Sequence, residues 1–312
     1  MATITPKTSI NFNLSLSNPV YKLVPHATIL IIACATIFFL SLAGNIVICY
    51  LLRNGRREFI SFNFYILNLA VADIIITLTI PFEAVYFVLN HSFLLGDFMC
   101  KSLPFLRATA VHASSILLVI ISYERYRAVL TSFRYSSKFK PAVFIISFAW
   151  FCGIVSSVVN LINNRVGSYL KKENLCLDYT PTRDSQANVL IIFIIFFACP
   201  LIILSVYHTL IIINLSRLVK VQLFKHSNAT KTKSRVTLVV VLITISYFIC
   251  YAPQYIIHII LRFNSKAATS QSFGIAITVT YWLAYSHSIW NPVIYGLTSS
   301  RMRKKFYRLY RS

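Results

Sequence analysis

Long apolar stretches, each carrying a few polar residues near its centre, dominate this chain of 312 residues. There are seven, and they cover residues 27–52, 63–89, 102–123, 141–162, 187–215, 236–261 and 272–297. Each exceeds the roughly 18–20 residues that a helix needs to cross a hydrocarbon core. Because lipid offers no partner for backbone N–H and C=O groups, such segments must be helices. The pattern predicts an all-α membrane protein, a seven-transmembrane helix bundle over 27–297, with an N-terminal segment at 1–26 and a C-terminal segment at 298–312.

Composition and charge support this interpretation. Hydrophobic residues make up 57% of the chain and charged residues 12%, a balance outside the range of soluble globular domains. The net charge of +22 would also suit a nucleic-acid-binding protein, but the basic residues concentrate in alternate connections and in the C-terminal segment. This positive-inside pattern places the N-terminus outside the cell, and it explains the charge by topology and by contact with anionic membrane lipids. We therefore expect a multi-pass plasma-membrane protein with no nucleic-acid partner.

Cysteines and glycosylation sequons fit the same orientation. Five of the seven cysteines lie in the apolar stretches, and only Cys100 and Cys176 fall on the predicted outer face. An oxidising compartment permits one disulfide between them, connecting the outer end of the third helix to the loop after the fourth. Asn13 begins an outward-facing Asn-Leu-Ser sequon, so we expect it to be glycosylated.

Helical spacing identifies inward-facing stripes on the third, sixth and seventh helices. In their outer halves, polar and aromatic groups converge without enough acid to pair the basic ones, which predicts a solvated pocket. The inner halves of the same stripes would equally serve as packing contacts between helices. With Glu83 of the second helix, the candidate ligand-binding residues are Glu83, Arg107, Gln254, Tyr255, His258, Arg262, Tyr281 and Tyr285.

Short motifs follow one another along the helices in a distinctive order. They include Gly44-Asn45-Ile46-Val47, Leu67-Asn68-Leu69-Ala70-Val71-Ala72-Asp73, Glu124-Arg125-Tyr126, Cys250-Tyr251-Ala252-Pro253 and Asn291-Pro292-Val293-Ile294-Tyr295. Together they resemble the rhodopsin-like (class A) family of G-protein-coupled receptors over nearly the whole chain, and most of all its peptide-receptor group. The resemblance also implies a short amphipathic helix 8 within 298–312 and no cofactor.

The same resemblance implies how the protein works. An extracellular ligand would bias a two-state bundle, and outward movement of the sixth helix would activate a heterotrimeric G protein. Without inverted repeats and a chain of midplane charges, the sequence argues against a secondary transporter, and without a catalytic constellation we do not expect an enzyme. The residues assigned to coupling and switching are Glu124, Arg125, Tyr126, Tyr251, Pro253, Asn291, Pro292 and Tyr295.

The nature of the ligand follows from the aromatic residues near Arg107, His258 and Arg262. They favour a ligand with an anionic or strongly hydrogen-bond-accepting group and an apolar part. A neuropeptide-like peptide meets this description, and an anionic lipid or nucleotide is the alternative. If Glu83 neutralises Arg107 across the gap between the second and third helices, the pocket is neutral there and suits a peptide.

A polar cluster near the middle of the bundle maps onto positions that enclose a sodium ion in many family members. His287 stands where the family usually has Asn, and imidazole is a poor sodium ligand. A protonated His287 beside Asp73 would supply the charge instead, so we expect agonist affinity to depend little on sodium and more on pH than in relatives with Asn. The alternative is a neutral His287 with sodium still bound. The cluster consists of Asn45, Asp73, Ser114, His287, Ser288 and Asn291.

Lys233 is a further departure from the family pattern. It occupies the inner end of the sixth helix, where some members have an acid that pairs with the arginine of the third helix. A lysine would repel Arg125, by about 0.5–1 kcal/mol at a wet boundary. We therefore expect a weakly latched resting state with appreciable basal signalling.

Overall fold

Seven long helices and one β-hairpin make up the described part of the protein. The structure is a computed structural model that describes residues 24–53, 60–88, 94–130, 139–169, 173–178, 182–221, 228–264 and 271–298. Six helices are α1 (Val24–Arg53), α2 (Ile60–Val88), α3 (Gly96–Leu130), α4 (Phe139–Asn163), α6 (Asn228–Phe263) and α7 (Gln271–Thr298). The remaining helix, α5, has three consecutive segments: Thr182–Phe193, the π-helical turn Ile194–Ala198 and Cys199–Val221.

The predicted seven-helix bundle is confirmed. Each apolar stretch falls within one helix, apart from position 89, which lies outside the described residues. Asn13, and residues 299–312 of the segment in which helix 8 was expected, also lie outside them.

In the described part of the chain, six helices are long and apolar enough to cross a membrane. The exception is α7, whose 28 residues span about 42 Å but include several Tyr, Ser, His and Asn residues. These polar side chains face the interior, since Tyr285, His287 and Asn291 are buried while Val279 and Val293 are exposed. The polar side chains that lower the hydropathy of α7 therefore face other helices and not the lipid.

Close contacts between helices depend on small residues. α3 packs against α2, α4, α5 and α6 in the middle of the bundle. A Cβ atom at Gly153 of α4 would lie 2.6 Å from the backbone oxygen of Thr109 on α3. A Cβ atom at Gly44 of α1 would lie 2.7 Å from the side chain of Pro292 on α7. Glycine lets the two helices of each pair approach more closely than a larger residue would permit.

The connection after α4 forms a hairpin that the sequence analysis did not predict. Strands β1 (Asn164–Tyr169) and β2 (Glu173–Asp178) are antiparallel, with Val166 opposite Cys176. Cys176 forms a disulfide with Cys100 of α3, at a Cα–Cα distance of 5.5 Å, which confirms the expected bridge. The backbone N–H of Val166 donates to the carboxylate of Asp97 at 2.8 Å. The hairpin is thus attached to the outer end of α3 at two points.

Candidate functional site

A cavity of about 390 Å³ lies between the outer halves of the helices and is bordered by the β-hairpin. Its volume falls within the range of typical ligand pockets. The lining includes side chains from all helices except α1. All eight residues proposed to bind ligand line it: Glu83, Arg107, Gln254, Tyr255, His258, Arg262, Tyr281 and Tyr285.

Arg107 is held in the cavity wall by three neighbours. Its Nη1 donates to Glu83 Oε1 at 2.9 Å and to the hydroxyl of Tyr285 at 2.8 Å. Its guanidinium carbon lies 4.9 Å from the centre of the Tyr281 ring, within the range of a cation–π contact. The side chains of Arg107 and Glu83 are each only 17% exposed. Each buried charge therefore depends on the other for compensation.

A second ion pair lies at the outer end of α6. The guanidinium of Arg262 donates to the carboxylate of Asp178 on β2, and its backbone carbonyl accepts from Gln186 Nε2 on α5 at 2.9 Å. One turn deeper, His258 Nε2 lies 3.3 Å from the hydroxyl oxygen of Tyr281. The prediction that the outer half holds too little acid to pair its basic groups is wrong, because Asp178 on the hairpin was not recognised as part of the pocket.

Three asparagines and a serine that line the cavity are among the residues missed from the sequence: Asn160, Asn164, Ser185 and Asn188. Asn160 and Asn164 are four residues apart where α4 passes into β1, and Ser185 and Asn188 are three apart at the start of α5. For Ser185 and Asn188, which both lie in α5, this spacing places the side chains on the same side of the helix and was a usable signal. Asn164 lies in β1, so helical spacing could not identify it. Their groups add hydrogen-bond donors and acceptors to the cavity without adding net charge.

Tyr251 connects the cavity to the centre of the bundle. It lines the cavity, and its ring lies 5.4 Å from the imidazole of His287 and 4.8 Å from the ring of Tyr247. Tyr247 in turn meets the edge of His287 at 5.4 Å. These aromatic contacts form a continuous packed path from the ligand cavity to the polar centre.

The six polar residues predicted to cluster are brought together and are all buried. Asn291 Nδ2 donates to Asp73 Oδ2 at 2.6 Å. Asn45 Nδ2 donates to the backbone oxygen of Ser288 at 2.9 Å, which connects α1 to α7. His287 Nδ1 lies 3.8 Å from Asp73 Oδ1, beyond hydrogen-bond distance.

The oxygen atoms of this polar core are chemically suitable ligands for a sodium ion. Within the described residues, Asn45 Oδ1, Asp73 Oδ1, Ser114 Oγ and Asn291 Oδ1 are buried without a hydrogen-bond partner. A carboxylate, two amide oxygens and a hydroxyl are suitable ligands for such a hard cation. Both ring nitrogens of His287 are also buried and unbonded in the described structure. His287 therefore brings a competing group into the space where a cation would bind.

Three helices contain a proline in or next to a functionally important region. Pro253 is in α6 and Pro292 is in α7. Pro200 follows the π-helical turn of α5 and has no N–H to donate to the carbonyl four residues earlier, that of Phe196. Ser115 on α3 donates its hydroxyl to this carbonyl at 2.7 Å. A side chain from a neighbouring helix thus satisfies a backbone group that the proline leaves free.

The Glu124-Arg125-Tyr126 motif lies near the inner end of α3. The guanidinium carbon of Arg125 is 3.4 Å from the ring centre of Phe62 on α2. The ring of Tyr126 is 5.7 Å from that of Tyr207 on α5. Glu124 is buried, as is Tyr295, the last residue of the motif on α7. The contact with Phe62 had no signal in the sequence.

Known proteins are similar to this chain in sequence. The family model described as "7 transmembrane receptor (rhodopsin family)" matches residues 44–295. Galanin receptor 2b of Danio rerio is 27% identical over 299 residues, which cover 93% of this chain and 77% of that receptor. Galanin receptor type 1 of Mus musculus is 26% identical over 301 residues, covering 95% and 85%. Galanin receptor type 1 of Homo sapiens is 27% identical over 300 residues, covering 94% and 84%.

Proposed function

Because this chain belongs to the rhodopsin family of seven-transmembrane receptors, we propose that it binds an extracellular peptide and activates a heterotrimeric G protein. The observation that carries the peptide assignment is the charge balance of the cavity, where Arg107 pairs with Glu83 and Arg262 with Asp178. The other polar lining groups are amides, hydroxyls and two imidazoles. They donate and accept hydrogen bonds, as a peptide backbone requires.

An anionic lipid or nucleotide suits this cavity less well. An anion beside Arg107 would compete with Glu83 and would leave two negative charges in a mostly buried place. The apolar and aromatic side chains of the lining instead suit the aromatic and apolar side chains of a peptide. The three relatives described above are galanin receptors, which are peptide receptors.

Movement of α6 connects ligand binding to G-protein activation in this proposal. Tyr251 lies both in the cavity wall and against His287 of the polar core, so a ligand that moves Tyr251 also moves the core. Pro253 lies two residues further along α6 and provides a hinge there. Outward movement of the inner half of α6 would uncover Arg125 for the G protein. The Glu124-Arg125-Tyr126 motif of α3 and Tyr295 of α7 lie at the inner side of the same bundle. This position supports their assignment to G-protein coupling.

The cavity faces the outside of the cell in this proposal, and the N-terminus is extracellular. The Cys100–Cys176 disulfide lies at the cavity side of the bundle and suits an oxidising exterior. The basic connections on the opposite side suit the cytoplasmic face of the plasma membrane and its anionic lipids.

An agonist screen tests the proposal. Cells expressing the full chain are exposed to a peptide library that includes galanin, and in parallel to panels of anionic lipids and nucleotides, with G-protein activation as the measurement. We expect a peptide to activate the receptor. For that peptide, His258→Ala and Gln254→Ala should each lower potency about tenfold, because each removes a hydrogen-bonding group from the cavity.

Ile256→Ala is the matched control, since Ile256 lies on the same part of α6 but is exposed on the outer surface. It should leave potency unchanged. Activation by an anionic lipid or nucleotide alone would reject the peptide assignment. Equal potency in the control and in both cavity variants would reject this cavity as the binding site.

A further inference from the structure

The contact between Arg125 and Phe62 lies far from the ligand cavity, at the inner end of the bundle. The guanidinium carbon is 3.4 Å from the ring centre, so the cation lies directly against the aromatic face. Phe62 is partly buried and packs against the main hydrophobic core, which limits its movement. In the described structure Arg125 Nε is buried without a hydrogen-bond partner. The ring face therefore compensates part of a guanidinium that hydrogen bonds do not fully satisfy.

The sequence shows why an aromatic partner is needed here. No Asp or Glu follows Asp184, so neither α6 nor α7 has an acid to hold Arg125. The neighbouring Glu124 acts electrostatically on Arg125, but both belong to α3, and their interaction connects no two helices. The side chain of Lys233 lies outside the described residues. Glu58, the acid that precedes α2, lies outside the described residues. Among the described residues, the ring of Phe62 makes a direct contact that ties Arg125 to another helix.

We propose that Phe62 is a positioning residue that holds Arg125 against α2 and withholds it from the G protein. This inference rests on the proposed function, because it assigns Arg125 to G-protein coupling. The ring stabilises the resting position of Arg125 from α2, whereas an acidic partner on α6 would hold it from the other side. Release of Arg125 from Phe62 is then one step of activation, and loss of the ring raises the population of the active bundle without any ligand.

The experiment uses the purified full chain in lipid nanodiscs without ligand. Phe62→Leu and Phe62→Met keep an apolar side chain but remove the ring, while Phe62→Tyr keeps the ring face as the conservative rescue. The first measurement is nucleotide exchange on added G proteins. The second needs no G protein: it is the distance between genetically encoded spin labels at Arg127 of α3 and Leu238 of α6, both exposed positions.

Phe62→Leu and Phe62→Met should raise ligand-free exchange about fivefold, the ratio that corresponds to about 1 kcal/mol for a partly buried cation–π contact. They should also shift the label distance towards longer values, and Phe62→Tyr should restore the wild-type value of both measurements. Tyr50→Leu removes a different cation–π contact, with Arg53 at 5.7 Å on α1, and should change neither measurement.

The two measurements separate the inference from the proposed function. Longer distances in the Leu and Met variants without exchange on any G protein would support the role of Phe62 and reject the coupling. Wild-type distances in the Leu and Met variants would overturn the role of Phe62, whatever the exchange rates. If the label distance in Phe62→Tyr were as long as in Phe62→Leu, the role of Phe62 would also be overturned. General packing, and not the aromatic ring, would then hold the bundle closed.

Discussion

A charged side chain inside a helix bundle is stable only where its environment replaces water, and Arg107 shows how this is achieved. The carboxylate of Glu83, the hydroxyl of Tyr285 and the ring of Tyr281 each interact with its guanidinium. Removing one member leaves the others with an uncompensated charge or an unused acceptor. The three partners come from α2 and α7, so Arg107 on α3 also ties three helices together.

This arrangement makes a prediction about stability. Glu83→Gln preserves the shape of the side chain but removes its charge, and we expect it to lower the free energy of unfolding by about 2 kcal/mol. The double variant Glu83→Gln with Arg107→Gln should lose less than the sum of the two single variants, because no charge remains unpaired. Thermal unfolding in detergent measures all three. Lys101→Gln, which removes only the exposed pair with Asp97, is the control and should have almost no effect. Additive losses would show that the pair is not coupled.

The charged and aromatic members of this pocket on α2, α3, α6 and α7 were predictable from the sequence, because helical spacing and the cost of a buried charge mark them out. The neutral polar members on α4 and α5 were not predicted. It could not find Asp178, which is 84 residues from Arg262 and lies on a hairpin with no helical periodicity. The charge balance of the cavity depends on that one contact. The sequence therefore identified where the pocket lies but overestimated its positive charge.

At the scale of single elements, α5 differs most from a regular helix. The N–H of Cys199 donates to the carbonyl of Ile194 across a π-helical turn, directly before Pro200. A proline predicts a break in the hydrogen-bond ladder, but it does not predict which group repairs the break. Here the repair comes from Ser115 on α3, so the irregular turn of α5 is fixed by a different helix.

Ser115→Ala tests this repair. It leaves the carbonyl of Phe196 without its side-chain donor, and we expect the free energy of unfolding to fall by about 1 kcal/mol. Ser115→Thr keeps the hydroxyl and should retain most of the stability. Ser205→Ala serves as the control, because Ser205 is exposed and bonds only to Leu201 of its own helix. Thermal unfolding measures each variant, and equal stability of Ser115→Ala and the control would contradict the proposed repair.

For the whole molecule, apolar length predicts the number of helices well but says little about how closely they approach. The match between Gly44 and Pro292 sets the distance between α1 and α7, two helices at opposite ends of the chain. The bond from Asn45 to the backbone of Ser288 closes the same junction. Such contacts depend on three-dimensional complementarity, which one sequence does not reveal. They bring residues of α1, α2, α3 and α7 together in one polar core.

An ion that binds the folded core but not the unfolded chain would stabilise the whole bundle. The oxygen atoms of the core fit a sodium ion, but the ring of His287 lies beside Asp73 with both nitrogens unbonded in the described structure. We therefore expect the unfolding midpoint of the ligand-free protein to change by less than about 1 °C when a bulky organic cation replaces sodium. His287→Asn supplies an amide oxygen in place of the ring and should create a sodium-dependent rise of about 3–5 °C, the shift that 1–2 kcal/mol of ion binding produces. Adding Asp73→Asn should abolish this rise. Melting curves at constant ionic strength provide the measurement, and a strong sodium effect in the wild-type protein that Asp73→Asn removes would show that His287 does not exclude the ion.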